Sequence, residues 1–310
     1  MSTLHNAVNE YLAMRKALGY QLHDAEVLLP AFVSFLERSG TKRITIMLAL
    51  EWSQQPGGTK LAYWAKRLSV VRGFARFWSA TDPSTEIPPV GLLPRQSRRH
   101  QPYLYSDEEI RKLMEAALNL PPIDGLRRWT YYCLFGILAV SGLRISEAFS
   151  LKDSDVDTDR CLLTIRQTKF NKSRIVPFHA STQRVLAEYA ERRDHLLGRS
   201  ADRYFLVNNR GTRLKGSIVR ETFHKLSRRI GLRSPSDCHG PRLHDFRHRF
   251  AVVTLVSWYR CGQDVERCLP ILSTFLGHAQ VTDTYWYLSL CPELMGLATA
   301  LLEQRWEGQS

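Results

Sequence analysis

Apolar residues recur every three or four positions through the first 80 residues of the chain, which is the spacing of amphipathic helices. Gly19 and Gly40 follow the first two apolar stretches, at positions where glycine commonly ends a helix. The fourth stretch also carries lysines and arginines, and this basic side could follow a phosphate backbone. The pattern predicts four helices: one that ends before Gly19, then Ala25–Arg38, Ile46–Gln54 and Lys60–Ser79.

Proline, glycine and basic residues interrupt this pattern between Asp82 and Pro102. Because repeated prolines break helices, the segment predicts a linker and a domain boundary. Ser106 then precedes three acidic residues, which is typical of a helix N-terminus, since the hydroxyl can accept a backbone N–H. The predicted division is a helical domain at residues 1–85, a basic linker at 86–102 and a second domain at 103–310.

The second domain mixes helical and extended patterns. Helices are predicted at Asp107–Leu118 and Leu126–Val140, and helical periodicity dominates again from Ser181 to the end. Two β-rich runs, 161–167 and 173–177, flank a turn and predict a hairpin. The predicted fold class is therefore mainly α with a small β-sheet.

A last helix is predicted to open at Pro292, and its apolar residues form a stripe along one face. This stripe can pack on the core of its own chain or on a neighbouring copy of the protein. The sequence leaves both arrangements open.

Positive charge is in clear excess. With 43 Lys+Arg against 30 Asp+Glu, the formal net charge is +13, which indicates a polyanionic partner and favours nucleic acid over a membrane surface. No acidic residue lies between Glu86 and Asp107, or between Asp202 and Glu221. The excess is therefore clustered, which strengthens the prediction of a nucleic-acid partner.

Cysteine usage and the apolar segments indicate the compartment. The six cysteines form no C-x-x-C pair, which is typical of reduced thiols in a cytosolic protein. The N-terminus lacks the charged and apolar regions of a signal peptide. The longest apolar segment, Tyr131–Val140, is too short to cross a bilayer. We therefore expect a cytoplasmic protein without a membrane segment.

Four short motifs supply chemistry. Arg144 follows a Ser-Gly turn at the end of an apolar helix, which gives the cation a rigid support. His244 and Arg247 lie three residues apart at a predicted helix start, and therefore on one face. A Leu-Gly-His motif at His278 and a Thr-Tyr-Trp-Tyr motif at Tyr287 follow. Guanidinium groups can neutralise a phosphate, imidazoles can exchange protons near neutral pH, and a tyrosine oxygen can attack phosphorus.

The order and wording of these motifs resemble the tyrosine recombinase, or phage integrase, family over about the last two-thirds of the chain. The resemblance implies an all-α, SAM-like core-binding domain and an α+β catalytic domain that clasp double-stranded DNA. It implies a site-specific recombinase or integrase that cuts and rejoins DNA through a 3′-phosphotyrosyl intermediate, without metal, other cofactor or ATP. It also implies a homotetramer on DNA, and accessory DNA-bending or directionality factors as further partners.

The same resemblance assigns roles to residues. Arg144, Arg247 and His278 would stabilise charge on the phosphate oxygens. His244 would assist proton transfer, and Tyr287 would be the nucleophile. The neighbouring histidine and arginine at 248 and 249 are interpreted as supporting residues.

Two of these assignments have competitors. Lys169 matches the lysine before the hairpin turn that protonates the leaving 5′ oxygen, and Lys172 is the alternative. Tyr285 competes as the nucleophile, but Tyr287 lies at the family's usual spacing after His278.

Other functions stay open on the sequence alone. A type IB topoisomerase uses similar residues on one duplex, although the separate helical domain argues against it. A DNA-binding accessory protein without catalysis is the other alternative, but no catalytic residue is missing. A zinc site at His244 and His248 would lack the glutamate of H-E-x-x-H and a second cysteine pair. The Thr-Tyr-Trp-Tyr wording resembles recombinases of mobile elements.

Overall fold

The structure is a computed structural model, and its contacts separate the chain into two compact units, Met1–His100 and Gln101–Ser310. Each unit has a hydrophobic core of its own. The predicted boundaries of the linker, at residues 86 and 102, stay a prediction. The described residues are 3–55, 57–58, 61–94, 101–166, 173–199, 203–234, 236–237, 240–289 and 292–307.

The first unit is a packed set of helices, as the apolar spacing predicts. Phe32, Leu36, Leu68 and Phe74 are fully buried at its centre, and Trp52 packs edge-on against Phe32. Its helices are α1 (Thr3–Ala17), α2 (His23–Arg38), α3 (Ile46–Gln54) and α4 (Leu61–Trp78).

The basic side of α4 is partly used inside this unit. Arg67 is buried, lies over the ring of Trp52 and donates to the Trp52 carbonyl at 2.8 Å. Arg72 donates to the carbonyls of Pro88 and Pro89, and Glu86 accepts the amide of Ile46 at 2.8 Å. Lys66 lies 2.7 Å from the Asp24 carboxylate. Part of the predicted linker therefore contacts the first unit, and the side chains of three of the four lysines and arginines of α4 have partners within it.

The second unit combines helices with a small sheet, which confirms the predicted fold class. The predicted N-cap at Ser106 is present as a capping box, because its hydroxyl accepts the Glu109 amide and the Glu109 carboxylate accepts the Ser106 amide. The helices before the sheet are α5 (Asp107–Leu118), α6 (Arg127–Ser141) and the single turn α7 (Ile145–Ala148). Those after it are α8 (Ala180–Leu197), α9 (Gly216–Arg229), α10 (Asp245–Arg260), α11 (Val265–Leu276), α12 (Thr282–Tyr285) and α13 (Pro292–Glu307).

The sheet contains the predicted hairpin strands and one strand that the sequence pattern did not predict. Strands β1 (Val156–Asp157), β2 (Leu162–Ile165) and β3 (Arg174–Pro177) are antiparallel in the order β1-β2-β3. Leu163 pairs with Val176 and Ile165 pairs with Arg174. Because side chains alternate along a strand, Arg174 lies on the same buried face as Val176.

The prediction of helix from Ser181 onward was wrong between α8 and α9. Two isolated bridges lie there or reach it, Lys152 with Tyr204 and Val207 with Arg213. Phe205, Leu206 and Val207 are buried in the main core, so this stretch is apolar because it is packed rather than helical.

A second cluster of apolar side chains holds the C-terminal helices together. The buried side chains of this cluster include Leu255 of α10, Leu272 and Leu276 of α11, and Leu294 of α13. Tyr287, from the turn before α13, is buried in the same cluster. In this structure α13 therefore packs on α10 of its own chain. Within the described ranges, no helix is long and apolar enough to cross a membrane.

Candidate active site

The C-terminal end of α11 is where the charged groups of the second unit converge. Gly277 takes the left-handed conformation (φ 68°), which glycine adopts without a Cβ penalty. The amides of Gly277 and His278 bond back to Thr274 and Ser273. The next three carbonyls each accept from a different arginine: Phe275 from Arg174 at 2.7 Å, Leu276 from Arg247 at 2.6 Å and Gly277 from Arg144 at 2.9 Å.

Arg247 is the most deeply buried of these cations, with 2% of its surface exposed. It comes from the first turn of α10, and its second terminal nitrogen donates to the carbonyl of Gly142 at 2.9 Å. Gly142 ends α6 in the left-handed conformation. Burial, opposed by Tyr287 and assisted by the charge of Arg144, lowers the pKa of Arg247 to about 10. Arg247 therefore stays protonated at neutral pH and bridges two helix ends.

Arg144 immediately precedes α7 and keeps part of its guanidinium in contact with solvent. Its side chain is 27% exposed, and Nη1 donates to Glu147 at 2.9 Å. The Glu147 carboxylate also accepts the Arg144 backbone amide at 2.9 Å. Glu147 therefore fixes the direction in which Arg144 points.

Arg174 is a third cation that the sequence analysis missed. Its side chain is 9% exposed, and it donates to both carboxylate oxygens of Glu147, at 3.1 and 2.9 Å. A Cβ on Gly277 would lie 2.7 Å from Arg174 Nη1, so this close approach requires glycine. The alternation of β3 was the one signal available, since it places Arg174 on the buried face.

His278 follows Gly277, and its ring is held by a second residue that the sequence analysis did not single out. Its Nδ1 lies 2.8 Å from the hydroxyl of Thr284, which is fully buried. Burial, followed by the charges of Arg247 and Arg144, lowers the pKa of His278 to about 4. The imidazole is therefore neutral at pH 7, and Nε2 is the ring nitrogen left to meet a ligand.

Tyr287 lies beside these groups, whereas Tyr285 does not. Tyr287 is 3% exposed in a short 3₁₀ turn, and its ring stacks on His278 with centroids 6.0 Å apart. The rings of His248 and Trp286 contact it at 5.7 Å each. Tyr285 is 51% exposed. Of the two competing phenols, Tyr287 is therefore the one that contacts the imidazoles, and it lies near enough to Arg247 to affect the pKa of that guanidinium.

His244 stands at the N-cap of α10, just before the helix begins at Asp245. His244 is exposed to solvent on one side. Partial burial of its ring lowers its pKa, and the charge of Arg247 also lowers it. The two side chains of the predicted pair differ in exposure, because Arg247 is buried while His244 is exposed. Even so, Arg144 and Arg247 both lie within electrostatic reach of His244.

The remaining predicted residues lie apart from this cluster or outside the described part of the chain. Arg249 donates to the carbonyl of Tyr105 at 2.8 Å, consistent with a supporting role. Lys169 and Lys172 lie outside the described residues. Among the residues described, no group of three or more His, Cys, Asp or Glu is arranged to hold a metal ion. The predicted absence of a metal or other cofactor stays a prediction.

Taken together, these side chains have the charge and geometry to bind an anion. Arg144, Arg174 and Arg247 carry three positive charges against the single carboxylate of Glu147. Guanidinium groups match the oxygens of a phosphate in charge and in geometry. A neutral imidazole and a phenol next to them can donate hydrogen bonds or move protons. The arrangement suits attack of a phenol on a phosphodiester.

The low pKa of His278 predicts how stability changes with pH. Between its ordinary value of 6.5 and about 4, the unfolded chain takes up a proton at His278 while the folded protein does not. This histidine should therefore make the protein less stable as pH falls through that window, by roughly 1–3 kcal/mol after solvent screening. Urea unfolding at pH 7.5 and pH 5 should show a smaller acid-induced loss for His278→Gln than for the wild type.

His195→Gln, which removes an exposed histidine from α8, is the matched control. It should lose stability on acidification as the wild type does. Parallel losses for the wild type and His278→Gln would show that His278 is not held neutral by its surroundings.

Comparisons with known proteins agree with this geometry. The family model described as the phage integrase family matches residues 104–293. The chain is 53% identical to the integrase/recombinase y4rB of Sinorhizobium fredii, over 100% of both chains. Among solved structures, the Tn1549 transposon integrase in complex with transposon right-end DNA has a TM-score of 0.65 at 14% identity, covering 96% of this chain and 98% of that one.

A lambda integrase tetramer bound to a Holliday junction has a TM-score of 0.60 at 18% identity, over 92% of this chain and 77% of that one. At these identities the two structures support the fold alone. The family match covers more than half of the chain, and y4rB matches along its whole length. The chain therefore belongs to the phage integrase family of tyrosine recombinases.

Proposed function

We propose that this enzyme cuts and rejoins double-stranded DNA at specific sites through a covalent 3′-phosphotyrosyl intermediate. The observation that carries the proposal is the convergence of Arg144, Arg247 and His278 at one helix end beside Tyr287. A phosphate seated there would meet fixed positive charge, and such charge stabilises the transition state most when it is already in place.

The first half of the reaction is a transfer of the phosphoryl group to tyrosine. The phenol of Tyr287 loses its proton, and its oxygen bonds to phosphorus while the bond from phosphorus to the 5′ oxygen breaks. His244 assists the proton transfer, for which its lowered pKa suits it, since a neutral imidazole can accept a proton at pH 7. Lys169 supplies the proton that the departing 5′ oxygen takes up, with Lys172 as the alternative donor.

The other residues hold the phosphate. Arg144 and Arg247 offset the charge that builds up on the phosphoryl oxygens. His278 donates a hydrogen bond from Nε2 to a non-bridging oxygen while Nδ1 accepts from the Thr284 hydroxyl. Only 3% of the Tyr287 surface is exposed, so docking of DNA must open space around its hydroxyl.

The second half reverses the first with a new strand. A free 5′ hydroxyl attacks the phosphotyrosyl bond, which restores the DNA backbone and releases the phenol. The phosphotyrosyl bond conserves the energy of the original phosphodiester, so rejoining needs no ATP. The mechanism that we propose uses no metal, since the arginines offset the charge of the phosphate and His278 donates a hydrogen bond to it.

The wider assembly is part of the same proposal. The Tn1549 integrase structure contains transposon DNA and the lambda integrase structure is a tetramer on a Holliday junction. Together with the net charge of +13, these relatives support duplex DNA as partner and a tetramer as the active form. The integrase/recombinase relative favours strand exchange over relaxation by a type IB topoisomerase. We propose the cytoplasm as the compartment and accessory DNA-bending or directionality factors as further partners.

The covalent step is the first test of this proposal. Target duplexes are first selected from a random-sequence library by binding to the wild-type protein. Each selected duplex is then nicked inside the bound site. Cleavage next to the nick releases a short fragment that diffuses away, so rejoining fails and the covalent protein–DNA adduct accumulates. The wild type and Tyr285→Phe should form an adduct that survives SDS, and Tyr287→Phe should form none, because it lacks the attacking oxygen. An adduct that persists in Tyr287→Phe and disappears in Tyr285→Phe would assign the reaction to the other phenol.

The leaving group gives a second test. Lys169→Ala should cleave an ordinary phosphodiester slowly, because the departing 5′ alkoxide needs a proton. A 5′-bridging phosphorothiolate leaves as a stable thiolate, so this variant should recover on the sulfur-substituted strand. Arg144→Ala should not recover, because its role is to stabilise charge on the phosphate. Recovery seen only for Lys172→Ala would move the role of general acid to Lys172.

A further inference from the structure

Arg174 occupies an unusual position for a cation that does not face solvent. It lies on the buried face of β3, opposite Ile165, and its side chain is 9% exposed. One nitrogen donates to the Phe275 carbonyl at the end of α11, and the other two donate to Glu147. Burying a cation is costly unless it is paired, and Arg174 is paired with the same carboxylate that orients Arg144.

The Glu147 carboxylate is fully engaged by these two arginines. Oε1 accepts from Arg144 Nη1 at 2.9 Å and from Arg174 Nη1 at 3.1 Å. Oε2 accepts from the Arg144 amide and from Arg174 Nη2, both at 2.9 Å. The side chain of Glu147 is 5% exposed, so water screens these charges little. The group of Arg144, Glu147 and Arg174 carries one net positive charge.

Without Arg174 the same group would be neutral. Glu147 would still hold Arg144 in place, but its negative charge would cancel the positive charge that Arg144 offers to a phosphate. At separations of a few ångströms in a partly buried site, such cancellation is large compared with thermal energy. Arg144 would then still be oriented, but its attraction for a phosphate would be weak.

We propose that Arg174 is a positioning residue that offsets the charge of Glu147, so that Glu147 can orient Arg144 without weakening its hold on the scissile phosphate. This inference rests on the proposed function, because it assumes that Arg144 binds that phosphate. Arg174 itself acts through Glu147 and the end of α11.

Two further observations support this role. The positive charge of Arg174 contributes to the lowered pKa values of both Arg247 and His278, so its field extends across the site. Burial raises the pKa of the Glu147 carboxyl, but hydrogen bonds and charge from Arg174, together with those from Arg144, outweigh it, and the pKa is lowered. Glu147 therefore stays ionised, as orientation of Arg144 requires.

The test is a double-mutant cycle of Arg174→Met and Glu147→Gln. Cleavage of the nicked duplex is measured in single turnover at saturating protein. Arg174→Met should slow cleavage by about 10- to 100-fold, because the group around Arg144 becomes neutral. Glu147→Gln alone should also slow cleavage, because Arg174 is then left buried without its carboxylate partner and repels Arg144. In the Arg174→Met background, however, Glu147→Gln should speed cleavage by about tenfold, because one net positive charge returns.

This reversal of sign separates an electrostatic role from a merely structural one. If Arg174 only fills space or ties β3 to α11, the second substitution should slow the reaction further. Arg174→Lys keeps the charge but loses the guanidinium fork, and it should stay within about tenfold of the wild type. A lysine variant as slow as Arg174→Met, or a double variant slower than Arg174→Met, would overturn the proposal.

Folding and the proposed function are controlled in the same experiment. Thermal unfolding is measured for each variant, and Arg174→Gln replaces Arg174→Met if the latter is unfolded at the assay temperature; the same recovery by Glu147→Gln is expected. Tyr287→Phe is run alongside. If the wild type forms the adduct and Tyr287→Phe does not, the proposed function stands and the cycle decides the role of Arg174 alone. If no adduct depends on Tyr287, the proposed function fails and this inference falls with it.

Discussion

The site depends on the hydrogen bonds that satisfy the last backbone carbonyls of α11. A helix leaves its last carbonyls without partners inside the helix, and they carry partial negative charge. Here Phe275, Leu276 and Gly277 each accept from an arginine that comes from another part of the chain. The helix end gains hydrogen bonds, and three guanidinium groups are held near one another although their charges repel. The left-handed Gly277 makes the close approach of Arg174 possible.

Each arginine arrives on a different element, so the helix end also fixes the relative positions of those elements. Arg144 comes from the turn before α7, Arg174 from β3 and Arg247 from α10. The buried carboxylate of Glu147 joins the first two, and the Gly142 carbonyl ties Arg247 to the end of α6. The phosphate-binding geometry that we propose is therefore set by backbone carbonyls and one buried carboxylate.

Sequence reasoning predicted those parts of the fold and site that local patterns encode. Helices α3 and α5 begin and end at the predicted residues, because apolar spacing and capping chemistry are local. Arg144, Arg247, His278 and Tyr287 stood out because each lies in a short motif. Arg174 did not, because its partners are 27 and 101 residues away in sequence and only the folded chain brings them together. For the same reason, the difference in exposure between His244 and Arg247 could not be predicted from their spacing.

The central claim is that this helix end holds the phosphate that Tyr287 attacks. The most direct measurement is a crystal structure of the wild type on a nicked duplex with vanadate, which mimics pentavalent phosphorus, in place of the scissile phosphate. We expect vanadium bonded to the Tyr287 oxygen, with Arg144, Arg247 and His278 within hydrogen-bond distance of its equatorial oxygens. Vanadate bonded to Tyr285, or bound with these side chains turned away from it, would contradict the account.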